Sequence, residues 1–294
     1  MNKKRFGSLV LVSMLIWLMV GCTKPQTKSE QIQVVSSLDF YGEAAQAVLG
    51  QHGHVTSIIN SPSLDPHSYE PTTKDAKAVA QADVVIENGL GYDQWLAKVV
   101  AGSNAKTQKV IKINQLMARS NGANEHLWYD LKTMPKLTRQ LIKQFSQIDP
   151  THKKTYQKNG QAYLAKLAQL QTQLEGLKAQ AKGQKVAVSE PVFNYALTAM
   201  GYQVANNHFA KAIEDGTDPS PKDIAQMRRL IKQHEIAFLV VNKQEESPVI
   251  QQMHELAKTE KVPVVQVTET LPAKETYLTW MQQQFKAVRK AQNS

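Results

Sequence analysis

Cysteine is nearly absent. Cys22 is the only one in 294 residues, so no intrachain disulfide can brace the fold, and packing or a ligand must hold it together. No apolar run is long enough to cross a bilayer as a stable helix: the longest, Leu9 to Val20, falls short of the roughly 20 residues required. Catalytic signatures are missing too, with neither a Gly-x-Ser-x-Gly elbow nor a phosphate-binding loop. His234-Glu235 and His254-Glu255 begin like a zinc-peptidase helix. The second histidine, due one helical turn later, is replaced by Phe238 in one case and Lys258 in the other. Gly89-Leu90-Gly91 begins like a dinucleotide loop, but Gln94 stands where the third glycine belongs. Basic residues exceed acidic ones by ten, yet they are spread along the chain, densest from Lys132 to Lys182, with no compact patch or nucleic-acid module. These absences argue against an enzyme and against a nucleic-acid partner.

The N-terminus carries the first positive signal. Lys3, Lys4 and Arg5 precede the short apolar run, the layout of an export signal. Met19-Val20-Gly21-Cys22 then resembles a bacterial lipobox, with Met19 where leucine is usual. Residues 1–21 are therefore expected to be removed as a lipoprotein signal peptide, leaving Cys22 lipidated and the protein extracytoplasmic and anchored to the membrane. The polar stretch up to residue 31 reads as a flexible tether, so 22–31 form the anchor and its leash. Without the three basic residues of the signal, the formal charge falls from +10 to +7.

Beyond the tether, short β-branched runs alternate with helical stretches. Strands are expected at 34–37, 55–59, 84–86 and 110–113, and again at 185–188, 203–204, 237–241 and 263–267. Thr72 is placed to cap a helix over 72–81, with Asp75 in its first turn. Ser220-Pro221-Lys222-Asp223 marks another helix start, with Ser220 as cap, Pro221 first in the helix and Asp223 third. Between the two blocks, Tyr156, Tyr163, Leu167, Leu170, Leu174 and Leu177 recur at helical spacing, predicting one long amphipathic helix over 153–182. A coiled-coil dimer seam is the alternative use of such a stripe, but three heptads are few for one. The expected fold is α/β: two similar lobes, 32–152 and 183–294, each a parallel sheet flanked by helices, joined by the rigid helix 153–182, with the ligand site in the cleft between them.

In open α/β sheets, ligands bind beyond the carboxyl ends of the strands. His67 follows strand 55–59 within Asp65-Pro66-His67-Ser68-Tyr69-Glu70-Pro71-Thr72. His126 follows strand 110–113 within Asn124-Glu125-His126-Leu127-Trp128-Tyr129-Asp130. Glu190 and Glu269 each sit two residues past a strand of the second lobe. Two neutral nitrogens and two anionic oxygens neutralise a divalent cation and suit Zn²⁺ or Mn²⁺. Taken singly, each has an ordinary alternative: a surface loop histidine, a helix-start acid, a solvated turn residue. The other histidines are assigned as non-ligands, with His52 and His54 in a glycine-containing turn and His152, His208, His234 and His254 on or beside helices.

The lipobox, Asp65-Pro66-His67-x-Tyr69-Glu70-Pro71-Thr72, Asn124-x-His126-x-Trp128-x-Asp130 and the long central helix together resemble one family. It is the zinc/manganese solute-binding lipoproteins of bacterial metal ABC transporters, receptors with a rigid helical backbone. The resemblance covers essentially the whole mature chain. It implies one divalent metal ion held between the lobes and delivered to an ABC permease, with ligands at His67, His126, Glu190 and Glu269. Two positions depart from the family pattern: Glu269 stands where aspartate is common, and Glu125 where a proline usually precedes the second histidine. Asn88-Gly89 and Trp95 look like a structural family segment. The chain lacks the long His-rich loop usual in zinc binders, and a two-His, two-carboxylate set matches manganese-leaning members, although such a site still holds Zn²⁺ more tightly than Mn²⁺. The expected partners are a permease and membrane lipid, and the expected state is a monomer. Competing expectations are a surface adhesin or structural lipoprotein with an incidental metal site, and a receptor for a haem- or siderophore-like ligand. Against the latter, Trp95, Trp128 and Trp280 are scattered along the sequence. An extracytoplasmic hydrolase has least support.

Overall fold

A computed structural model describes residues 31–294 apart from 104 and 106; the expected signal peptide, Cys22 and all of the tether but its last residue lie outside the described residues. The first lobe runs β1 (Ile32–Leu38), α1 (Asp39–Leu49), β2 (Gly53–Ile59), α2 (Thr73–Gln81), β3 (Val84–Glu87), α3 (Gln94–Gly102), β4 (Lys109–Lys112), α4 (Ile113–Leu116) and α5 (Thr133–Ile148). After α6 (Lys153–Ala181), the second lobe runs β5 (Lys185–Val188), α7 (Asn194–Ala199), β6 (Gln203–Val204), α8 (Asn207–Glu214), α9 (Pro221–Lys232), β7 (Leu239–Asn242), α10 (Pro248–Thr259), β8 (Val264–Val267) and α11 (Tyr277–Gln292).

Each lobe holds a four-stranded, all-parallel sheet with the same winding, β2-β1-β3-β4 in the first and β6-β5-β7-β8 in the second. Helices cover both faces, so central strands such as β3 are buried throughout and read as continuous apolar runs. The capped helix starts behave as expected. Thr72 and Ser220 each accept the backbone N–H three residues on, and Asp75 and Asp223 reach back to the cap, closing both boxes. Some local expectations need correcting, and the fourth strand ends at Lys112 because Ile113 opens α4. His54 lies within β2, paired with Gln33, rather than in a turn. The third strand of the second lobe occupies 239–242 instead of 237–241, because its ladder with β5 begins at Leu239 and its ladder with β8 extends to Asn242.

The 29 residues of α6 span about 44 Å at 1.5 Å per residue. Its apolar stripe, including Leu167, Leu170, Leu174 and Leu177, is buried against α1 and α5 of the first lobe and α11 of the second. The stripe is therefore used within the chain and forms no open seam. The helix ends where Lys182 and Gly183 take positive φ, at 47° and 73°.

The lobes also share one hydrophobic core. Trp128 and Trp280, far apart in sequence, both stack near Phe40, at ring-centroid distances of 5.1 and 5.7 Å. Tyr129 extends the cluster to Trp280 and to Phe193, at 5.5 and 5.0 Å. Hydrogen bonds tie α11 to the first lobe: Tyr277 donates its N–H to Glu43 and its hydroxyl to the Trp128 carbonyl, and the Tyr129 hydroxyl donates to Gln284. Two of the three tryptophans among the described residues are thus an inter-lobe seam, not scattered residues.

Candidate metal centre

All four predicted site residues line one cleft of about 650 Å³ between the lobes. The first-lobe loops supply His67 and His126, and the second-lobe loops supply Glu190 and Glu269. A groove of about 680 Å³ between β8 and α11 has Lys243 and Lys290 in its wall but no histidine or carboxylate, which is the wrong chemistry for a cation.

The motif around His67 is a set of local restraints. Asp65 accepts the His67 N–H at 2.9 Å and the Ser68 hydroxyl at 2.6 Å, turning the chain so that the imidazole points into the cleft. The Tyr69 hydroxyl donates to Asp75, which also closes the α2 cap, so this loop is fastened to the helix that follows. Trp95 donates its indole N–H to the Pro66 carbonyl at 3.0 Å and packs on Tyr69. The Tyr92 ring, fully buried, lies edge-on to the His67 ring at 4.8 Å.

His126 is almost wholly buried, at 1% exposure. Asn124 fixes it. The Asn124 side-chain N–H donates to the Pro191 carbonyl at 2.7 Å, so its oxygen is free to accept from the His126 backbone N–H and from Nδ1, each at 2.9 Å. With Nδ1 carrying the proton, the Nε2 lone pair faces the cleft, the tautomer a metal needs. The loop is held from both lobes, because Asn88 donates to the Glu125 carbonyl and Tyr195 to the Asn124 carbonyl. The segments first read as structural, Asn88-Gly89 and Trp95, therefore grip the two histidine loops.

On the facing wall, Glu190 accepts from the Asn242 side chain at 2.9 Å, and Asn242 ends the neighbouring strand β7. The Glu269 backbone N–H donates to Gln244, whose side-chain amide in turn donates to Thr270 and, across the cleft, to the Pro62 carbonyl. Glu269 Oε1 lies 3.8 Å from Nε2 of both His67 and His126, and it is buried with no hydrogen-bond partner among the described residues. Ligands about 2.1 Å from a tetrahedral ion stand about 3.4 Å apart, so Glu269 needs only a small movement to share a cation with either imidazole.

The electrostatics are those of a site missing positive charge. Burial pushes the Glu190 carboxyl up from 4.5 to about 7 against its bond from Asn242, and nearby Glu269 and Glu245 add to the rise. Burial alone would lower the His126 imidazole, but Glu269, Glu214 and Glu125 outweigh it and raise the pKa above 6.5. Burial likewise works against a charged Glu269, yet His126, the Tyr92 hydroxyl and His67 keep its carboxyl below the ordinary value.

Two further carboxylates crowd the site. Glu125 Oε1 is 3.3 Å from His67 Nε2, and Glu214 Oε1 is 3.6 Å from His126 Nδ1. Glu125, His126 and Glu214 each offer a donor atom within 4.8 Å of the others. Glu125 is visible in the sequence as a charge beside the second histidine. Glu214, at the end of α8, carries no local signal and is brought in only by tertiary packing.

The chain resembles known proteins in sequence and in fold. The chain is 28% identical to the metal ABC transporter substrate-binding lipoprotein SloC of Streptococcus mutans, over 89% of this chain and 88% of that protein. It is 26% identical to the manganese-binding lipoprotein MntA of Halalkalibacterium halodurans, over 82% and 81%. The fold matches the periplasmic zinc-binding protein TroA of Treponema pallidum with a TM-score of 0.72 at 16% identity, over 89% of this chain and 99% of that one. The sequence profile of the ZnuA family, described as zinc-uptake complex component A, periplasmic, matches residues 34–291, and the chain belongs to that family of solute-binding proteins, which are not enzymes.

Proposed function

We propose that this protein is the extracytoplasmic, lipid-anchored receptor of a metal ABC importer. It captures one Zn²⁺ or Mn²⁺ ion between its lobes through His67, His126, Glu190 and Glu269 and passes it to a permease. The observation that carries this proposal is the convergence of the two imidazole Nε2 atoms on Glu269 Oε1, each at 3.8 Å, in a cleft walled by both lobes. The relatives support the class of cargo: one is named for metal, another for manganese, and the fold match for zinc. A lipid on Cys22 would hold the receptor at the membrane and raise its effective concentration at the permease.

The test is native mass spectrometry of the protein lacking its first 22 residues, stripped with chelator and then given Zn²⁺ and Mn²⁺ separately and together. One ion per chain is expected in the wild type and none in His67→Ala, with the competition ranking the two ions. Absence of stoichiometric metal, or binding indifferent to His67, would refute the assignment.

A further inference from the structure

The cleft holds more acid than a four-ligand site requires. Glu125, Glu190, Glu214 and Glu269 surround two histidines, so a divalent ion neutralised by two carboxylates leaves two more negative charges unaccounted for. Glu214 has its own cation, Lys211, at 2.9 Å. Glu125 has none: among the described residues its only ion-pair partner is His67, through Oε1 at 3.3 Å. That separation matches the edge of a coordination polyhedron around a first-row ion, about 3.0 to 3.5 Å. It is also shorter than the separation of Glu269 from the same nitrogen, 3.8 Å.

The backbone around Glu125 is held as firmly as that of His126. Its carbonyl accepts from Asn88 at 2.9 Å and from the Leu127 N–H at 2.7 Å, and the adjacent Asn124 is bonded to Pro191 and Tyr195 of the second lobe. Its carboxylate is 15% exposed, sheltered without being sealed off. Glu269 Oε1, 3.8 Å from the same His67 nitrogen, is buried and accepts no hydrogen bond among the described residues. A buried carboxylate oxygen that accepts no hydrogen bond, and a second acid paired only with the same histidine, describe a place shaped for positive charge.

From this arrangement we infer that Glu125 is a fifth donor to the captured ion, making the site oxygen-rich and shifting its selectivity from Zn²⁺ toward Mn²⁺. This inference rests on the metal-receptor proposal and goes further by naming which ion the donor set favours. Zn²⁺ is satisfied by four ligands in a tetrahedron, whereas Mn²⁺ accepts five or six and prefers carboxylate oxygen. An added carboxylate oxygen therefore benefits Mn²⁺ more. The Irving–Williams order still applies, so the effect is a narrowed gap between the two ions rather than a reversal.

The experiment compares wild type, the isosteric Glu125→Gln and His67→Ala. It measures Mn²⁺ and Zn²⁺ affinities by chelator competition, and oxygen and nitrogen donor counts by X-ray absorption of the Mn²⁺ form. Glu125→Gln is expected to weaken Mn²⁺ binding about 10-fold or more and Zn²⁺ binding less than about 3-fold, with one fewer oxygen donor around Mn²⁺. The melting temperature of the metal-free variant reports its folding, and removing a charge from an acidic cluster should not lower it. Equal losses for both ions would mean that Glu125 acts only as a distant charge and would overturn the inference. So would unchanged affinities, or a second bound equivalent lost only in Glu125→Gln. His67→Ala keeps the two proposals separate: if it still binds one ion with wild-type affinity, the metal-receptor assignment itself is wrong, whatever Glu125 does.

Discussion

At the scale of single residues, the proposed site is built by partners that turn the candidate ligating atoms into place. Asn124 is the clearest case, because one side chain fixes both the backbone and the ring of His126 while its amide group is itself anchored on Pro191. Asn124→Ala should therefore weaken metal binding by about 10- to 100-fold, as loss of outer-shell partners typically does, while Asn124→Asp, which keeps an acceptor, should retain more of the affinity. Competition with a chromophoric chelator would read this out, and equal losses in the two variants would refute the positioning role. Protons compete for the same atoms. Glu190 titrates at about 7 in the folded protein against 4.5 for an ordinary glutamate, so the stability it lends the metal-free form is full below about 4.5 and is lost as pH rises to about 7. His126, raised above 6.5, has the same sign and extends the loss to higher pH, while the lowered Glu269 acts oppositely and only in acid. Metal must displace these protons, so the melting-temperature gain on adding Zn²⁺ should grow from about pH 5 to about pH 8. A gain that is flat or falls across that range would count against histidine and Glu190 ligation. The placement of His67 and His126 on the cleft is legible because their supports, Asp65 and Asn124, lie two residues away and form part of the motif. Glu214 was not legible, since nothing near it in sequence points to a cleft.

At the scale of elements, the sequence carried most of the architecture through periodicity and caps. Strands buried on both faces require continuous β-branched runs, and the runs at 84–86 and 185–188 place β3 and β5 to within a residue. The boxes at Thr72 and Ser220 fix two helix starts because their hydrogen bonds are local. Both bounds of β7 differ from the expectation for the complementary reason: how far its ladders run depends on β5 and β8, which the residues of β7 do not specify. The leucine stripe of α6 predicted a helix with one buried face, though not what would bury it. Leu170, 1% exposed, sits midway along that stripe. Leu170→Ala should cost about 2–5 kcal/mol of stability, read as a lower urea midpoint, because the cavity lies among packed helices. Metal affinity of the folded variant should be nearly unchanged, since the stripe serves the scaffold and not the site. A midpoint shift equivalent to less than about 1 kcal/mol would show that α6 is loosely packed there.

At the scale of the whole molecule, the question is how two lobes that share a core can close on an ion. A receptor joined by flexible loops swings wide, but here three connections resist rotation. The first is α6, which packs on both lobes along its 29 residues. The second is the aromatic seam of Phe40, Trp128, Tyr129, Phe193 and Trp280, which no sequence pattern announced because its members meet only after folding. The third is α11, tied back to the first lobe through Tyr277 and Gln284. Hinge bending would have to open buried aromatic contacts and strip partners from buried hydroxyls, whereas His67 Nε2 already stands 3.3 Å from Glu125 and 3.8 Å from Glu269, and His126 Nε2 3.8 Å from Glu269. Capture should therefore proceed by local adjustment of the loops bearing His67 and Glu269, joined across the cleft by Gln244 on the Pro62 carbonyl, with the lobes nearly fixed. For residues 31–294, solution scattering should give a radius of gyration of about 18 Å, changing by less than about 3% between chelator-stripped and metal-loaded protein. Hydrogen exchange should slow on loading in 62–70 and 266–271 and stay constant along α6 and α11. A large contraction in scattering, or new protection spread over both lobes, would mean that the seam opens in the metal-free protein and that closure is a domain motion after all.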